Sequence, residues 1–139
     1  MSDLRPDVTP EALMAIQPGT LPDLLGLEIL EVGEGYLKGR MAVTRKHHAP
    51  NGFLHAASVI ALADTCAGYA TVAHLPKGAK GFTTIELKSN FFGTALDGYI
   101  HTTATSKHRG RTTQVWDAEV FNDAGKLIAA FRCTQMILV

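Results

Sequence analysis

Asp64 sits inside the apolar run Ser58-Val59-Ile60-Ala61-Leu62-Ala63-Asp64-Thr65 and is the only acid between Glu34 and Glu86. A carboxylate there lowers helix propensity and is costly to desolvate, so it requires a reason. Apolar surroundings would raise its pKa and a nearby donor would lower it; either way it can serve as general base or as nucleophile. His55 stands nine residues earlier. On one ideal helix that is about 13.5 Å, too far for the two side chains to meet, so a site using both must draw one from another subunit. The alternative is that His55 only anchors its loop. The N–H groups of Ala56 and Ala57 fall in a first helical turn, where donors are unpaired and the helix dipole is positive, and they could stabilise a developing oxyanion. Lys107-His108-Arg109-Gly110-Arg111 is a basic turn that either holds phosphates or is a solvated hairpin tip. Arg45-Lys46-His47-His48 is a second basic group. The chain contains no Gly-rich phosphate loop, no G-x-S-x-G elbow and no metal-ligand motif.

These residues need elements to hold them. Thr9 is a suitable N-cap and Pro10 a suitable first residue for a short helix that Pro18-Gly19 stops, and Leu21 to Leu25 allows one more turn before Gly26. Residues 27–32 and 36–43 read as two strands of a hairpin turning at Gly33-Glu34-Gly35. After the loop 44–52 a helix runs from about 55 to 74, closed by Pro76-Lys77-Gly78. Strands follow at 82–91, 99–107, 112–121 and 127–138, the last two joined by the turn Asn122-Asp123-Ala124-Gly125. One apolar helix between strands that cannot be solvated on any side predicts an α+β domain, an antiparallel sheet of five to six strands wrapped around the helix. Residues 1–20 form a tail and short helix, and residues 21–139 the domain.

Along the long helix, Ala57, Ala61, Asp64 and Gly68 share one face, a carboxylate among small residues. That face leaves room for a ligand or a partner subunit; otherwise it packs tightly, with Asp64 bonded to neighbouring backbone. Val59, Leu62, Cys66 and Tyr69 make the face better suited to the sheet. Phe53, Phe82, Phe91, Phe92 and Trp116 are available to a ligand pocket or to the core.

At 139 residues, with 46% hydrophobic and 19% charged side chains, the chain has the make-up of one globular domain. Thirteen basic and thirteen acidic residues leave a formal net charge of zero, which argues against a general nucleic-acid binder. Cys66 and Cys133 are too few for a disulfide framework. Residues 1–10 lack the pattern of a secretory signal, and no run approaches the ~18 apolar residues of a membrane span. A reducing, cytoplasmic setting and no membrane association are the expectations.

Gly52-x-x-His55 with Asp64 nine residues on, in Leu62-Ala63-Asp64-Thr65, resembles the hotdog-fold acyl-CoA thioesterases. The phenylacetate-pathway type is closest, related to the 4-hydroxybenzoyl-CoA thioesterases with the acid on the central helix. Thr84-Ile85-Glu86-Leu87-Lys88-x-Asn90-Phe91, His108-Arg109-Gly110-Arg111 and the closing strand fit as well, so the resemblance covers roughly residues 20–139. It implies hydrolysis of a small aromatic or medium aliphatic acyl-CoA, with Asp64 attacking the thioester or activating water, and no cofactor beyond the CoA of the substrate. Ala56 would supply the N–H that polarises the carbonyl, His55 would shape that end, and Thr84 would hold water. His48, Lys107, Arg109, Gly110 and Arg111 would contact CoA. The family site lies between subunits of a homodimer, with further pairing into a homotetramer. Two departures stand out. The family's His is usually followed by Gly-Gly, here Ala56-Ala57; many members carry Asn or Gln six residues before it, here Ala49, leaving Asn51 or His48 to replace that amide. A non-catalytic acyl-CoA or aromatic-ligand binder on the same fold is the alternative. A hydratase ranks below both, since its motifs are absent.

Overall fold

The computed structural model describes residues 3–139. Two short helices come first, α1 (Pro10–Ala15) and α2 (Leu21–Leu25). The Thr9 side chain caps α1 by accepting from the Ala12 N–H at 3.1 Å. Strands β1 (Leu27–Gly33) and β2 (Tyr36–Ala42) form a hairpin, and a 3₁₀ turn at Arg45–His47 leads to the long helix α3 (Ala56–Ala73). Strands β3 (Gly81–Phe91), β4 (Tyr99–Arg109), β5 (Thr113–Asn122) and β6 (Leu127–Leu138) complete the chain. The turn before β6 is built as its residues predict: Asn122 Oδ1 accepts from the N–H groups of Ala124 and Lys126, and Gly125 takes φ +80°.

All six strands pair antiparallel in one sheet, in the order β1-β2-β4-β5-β6-β3. The strand β3 is not beside β4, its neighbour in sequence. It lies at the opposite edge, paired to β6 alone. The sheet wraps α3, whose buried face is Val59, Leu62, Ala63, Cys66, Ala67 and Ala70. Small residues let the helix come close: a Cβ at Gly39 of β2 would stand 2.5 Å from Cys66 Sγ. Leu37, Met41, Ile100 and Trp116 fill the core from the strands. Of the expected sheet-facing residues, Tyr69 alone lies at the rim of the packed face, half-buried.

One expectation is corrected. At 18 residues and a mean hydropathy of 1.4, α3 is long and apolar enough to cross a membrane by length and composition. The sheet that wraps it accounts for that composition. The N-terminal segment is tied to this core: Leu13 is buried in it, and Arg5 donates to the carbonyls of Leu75 and Pro76 at 3.1 Å each.

Candidate active site

Asp64 is in the third turn of α3, at the boundary between the packed face and the open one. It is half-buried, and its Oδ1 is shielded from solvent with no hydrogen-bond partner among the described residues. Burial pushes its carboxyl above the ordinary aspartate range. Tight packing with Asp64 bonded to backbone is therefore not what the fold makes of this face. A cavity of about 260 Å³ opens beside the carboxylate, walled by Phe82 and Thr84 of β3, Tyr69 of α3, and Leu13 and Ile16 at α1. Phe82 is the only one of the five aromatic candidates to line it. Trp116 is wholly buried in the core, and Phe53, Phe91 and Phe92 are exposed.

Thr84 donates its hydroxyl to Gln135 Oε1 at 2.7 Å. Gln135 is wholly buried and its Nε2 has no partner among the described residues. In sheet register Thr84 faces Gln135, Gln135 faces Gln114, and Gln114 faces Arg109. A polar row thus crosses four strands. Gln114 is fully engaged: its Nε2 donates to the His74 carbonyl at 2.9 Å and its Oε1 accepts from Trp116 Nε1 at 2.8 Å. The sequence reading misses this row. Its one visible signal is Gln135 in the inward phase of Phe131, Cys133 and Ile137.

The helix start is assembled differently from expectation. His55 is the N-cap, and its Nδ1 accepts the Ala57 N–H at 2.9 Å. That bond consumes one of the two N–H groups expected to face an oxyanion, because the cap and the oxyanion compete for the same donor. The Ala56 N–H is the one the cap does not take. With Nδ1 accepting, a neutral His55 carries its proton on Nε2. Asn51 Oδ1 accepts from the Phe53 N–H at 3.1 Å, a local Asx turn, and His48 Nε2 donates to the Leu96 carbonyl at 3.1 Å. His47 is buried, bonded to Thr44 and to the Leu25 carbonyl. Asn51, His55 and Ala56 therefore cluster at the α3 N-terminus, while Asp64 and Thr84 meet at the cavity. Within one chain the two groups stay about two and a half helical turns apart.

Most of the basic turn is already paired. Lys107 Nζ lies 3.7 Å from Asp117, and Arg109 reaches Asp3 at 3.7 Å and Glu34 at 3.4 Å. Arg109 Nη1 is buried with no hydrogen-bond partner among the described residues, beside a cavity of about 210 Å³ that Arg111, Gly110 and His74 also line. A larger groove of about 550 Å³ lies on the outer face of the sheet among Lys88, Asp117, Glu119 and Arg132. Its charges neutralise one another, as in the Arg132 Nη2 to Asp117 bond of 2.9 Å, and Asp64 does not line it.

Comparison with known proteins agrees with this fold. Residues 51–129 match the family model of the thioesterase superfamily. The chain is 30% identical over 114 residues to the 1,4-dihydroxy-2-naphthoyl-CoA hydrolase of Listeria monocytogenes, across 82% of this chain and 92% of that protein. It is 28% identical over 134 residues to the hydrolase of the same name from Escherichia coli, across 94% and 96%. Among solved structures, a variant of thioesterase PA1618 from Pseudomonas aeruginosa superposes with a TM-score of 0.93 at 28% identity, covering 99% of each chain.

Proposed function

The chain belongs to the thioesterase superfamily, a thioester hydrolase on a single hotdog domain, and from that premise we propose that it cleaves small aromatic or medium aliphatic acyl-CoA thioesters at Asp64. The observation that carries the assignment is the carboxylate itself, held partly out of water with Oδ1 unpartnered beside an apolar cavity. In the general-base form, Asp64 takes a proton from water while the oxygen attacks the thioester carbon, and collapse of the tetrahedral intermediate expels CoA thiolate, which is then protonated. In the nucleophilic form, the carboxylate forms a mixed anhydride with loss of the thiolate, and water then hydrolyses it. Both leave one acid and one thiol. The Ala56 N–H would polarise the carbonyl, with His55 and Asn51 shaping that end and Thr84 holding the water. Only side chains and backbone of the chain take part, with no metal or redox cofactor.

The helical separation of Asp64 from His55 supports a homodimer in which each site combines one subunit's cavity with the other's helix start. The free edge of β3 supports the same reading. It carries exposed Ile85 and Leu87, and exposed Phe91 and Phe92 at its end, an unusual amount of apolar surface for an uncovered edge. Pairing of dimers into a homotetramer follows from the family resemblance. Arg111, Gly110 and Arg109, whose Nη1 has no partner among the described residues, are the contacts for CoA phosphates, with Lys107 and His48 peripheral. Two free, buried cysteines suit a cytoplasmic enzyme.

The test is thiol release from benzoyl-, phenylacetyl- and hexanoyl-CoA by the parent and by Asp64→Asn. The variant is expected to lose on the order of 10³-fold in kcat while still folding, with a cooperative melting transition. Equal turnover by the two overturns the assignment.

A further inference from the structure

The cavity beside Asp64 is not made by α3 and the sheet alone. Leu13 and Ile16 at α1 and Pro22 of α2 complete its wall, and all three lie outside the residues that match the superfamily model. Leu13 anchors this wall in the core, and one polar side chain pins its far end. Gln17 is almost fully buried; its Oε1 accepts from the Tyr69 hydroxyl at 2.9 Å and its Nε2 donates to the Leu27 carbonyl at 3.2 Å. Both halves of the amide are satisfied, so Gln17 clamps the end of α1 between α3 and β1. Tyr69 also lines the cavity, so the clamp is part of its wall. The remaining space depends on Gly68, which lines the cavity: a Cβ there would approach Phe82 Cζ to 3.1 Å and add bulk between two lining residues.

We propose that the N-terminal segment from Leu13 to Pro22, latched by the Gln17–Tyr69 hydrogen bond, is the acyl gauge of the enzyme: it admits a compact acyl group and excludes long fatty acyl chains. The inference rests on acyl-CoA hydrolysis at Asp64 and adds which part of the chain sets the substrate range. The size of the cavity supports it. At about 260 Å³ the cavity lies below the ~300–1,000 Å³ of ordinary ligand pockets, which suits a benzoyl or hexanoyl group and not a hexadecanoyl chain. The lining is apolar apart from Asp64, Thr65, Thr84 and the Tyr69 hydroxyl, so it rewards a hydrocarbon acyl group over a charged one. Outside the cavity α1 and α2 are lightly held, with Met14, Ile16, Leu21 and Leu24 exposed. Opening the latch therefore loosens the wall from Ile16 to Pro22 while Leu13 stays anchored in the core.

The experiment measures kcat/KM by thiol release on benzoyl-, hexanoyl-, decanoyl- and hexadecanoyl-CoA, below micellar concentrations, for the full-length parent, Tyr69→Phe, Ile16→Ala and Gly68→Ala. The parent is expected to favour the two compact groups. Tyr69→Phe removes the latch hydroxyl and Ile16→Ala shortens the wall; each is expected to raise the decanoyl-to-hexanoyl ratio roughly tenfold, while Gly68→Ala lowers it. A variant that is merely destabilised loses rate on every substrate and leaves the ratio alone. An unchanged ratio in both widened variants, or a parent that favours hexadecanoyl-CoA, overturns the gauge and leaves hydrolysis at Asp64 standing. If the parent cleaves none of the four, hydrolysis itself fails, and the gauge is read from thermal shift with free hexanoate and decanoate. Stabilisation by hexanoate alone in the parent and by both acids in Ile16→Ala supports it; no difference between the two proteins overturns it.

Discussion

A carboxylate whose fold disfavours its charge has two consequences with opposite pH dependence. Burial raises the Asp64 pKa, so the folded state prefers the protonated form. The stability this confers is fully present below the ordinary aspartate pKa and is lost as pH rises through the raised value. Activity runs the other way, since only the ionised group can attack or accept a proton. The kcat/KM profile is therefore expected to fall on its acid side at a pH above that of an ordinary carboxylate, and that limb should vanish in Asp64→Asn. The same variant should melt a few degrees higher than the parent at pH 7, a gain that disappears below the ordinary aspartate pKa. The polar row gives a second contrast. Gln135→Leu removes an amide whose Nε2 has no partner among the described residues, and its cost is expected to stay within about 1 kcal/mol. Gln114→Leu orphans both Trp116 Nε1 and the His74 carbonyl and should cost about 2 kcal/mol or more, as urea melts would measure. Asp64 was legible because an acid in an apolar helix breaks a local rule. Gln135 breaks the same rule in a strand, but its meaning depends on Thr84, fifty-one residues away in sequence.

At the scale of elements, the helix and strand limits follow from caps, turns and periodicity, and the structure moves them by one or two residues. Local chemistry determines them: Thr9, His55 and Asn122 each close a hydrogen bond within four residues of themselves. The position of β3 is not local. Its pattern shows a strand but not which neighbour it takes, and it passes over the nearby β4 for β6. Its free edge predicts the assembly: if each site is shared between two subunits as proposed, Ile85→Lys with Leu87→Lys should yield a monomer by sedimentation and lose hydrolysis. A parent that is already monomeric and active would refute the shared site. For α3, His55→Ala removes the acceptor of the Ala57 N–H and is expected to cost roughly 0.5–2 kcal/mol in denaturant unfolding.

Across the whole molecule, the N-terminal residues matter more than their position suggests. Leu13 sits in the core, Arg5 ties the segment to the end of α3, and the α1–α2 pair walls the candidate site. Removing residues 1–20 is expected to lower the melting temperature and blur the acyl preference, both measurable on the truncated protein beside the full chain. Such a segment shows little in sequence, because its few apolar residues, Leu13, Met14 and Ile16, resemble any short amphipathic helix. By itself the sequence determined the elements, the wrapped-helix class and Asp64, since caps, hydrophobic period and a misplaced charge are written within a few residues of one another. Only the tertiary structure decided that Asp64 keeps an unpartnered oxygen beside a cavity, that His55 spends its Nδ1 on the Ala57 N–H, and that Lys107 and Arg109 are largely neutralised by distant acids. Those outcomes depend on contacts between residues far apart in the chain, and such contacts leave no periodic or local signature.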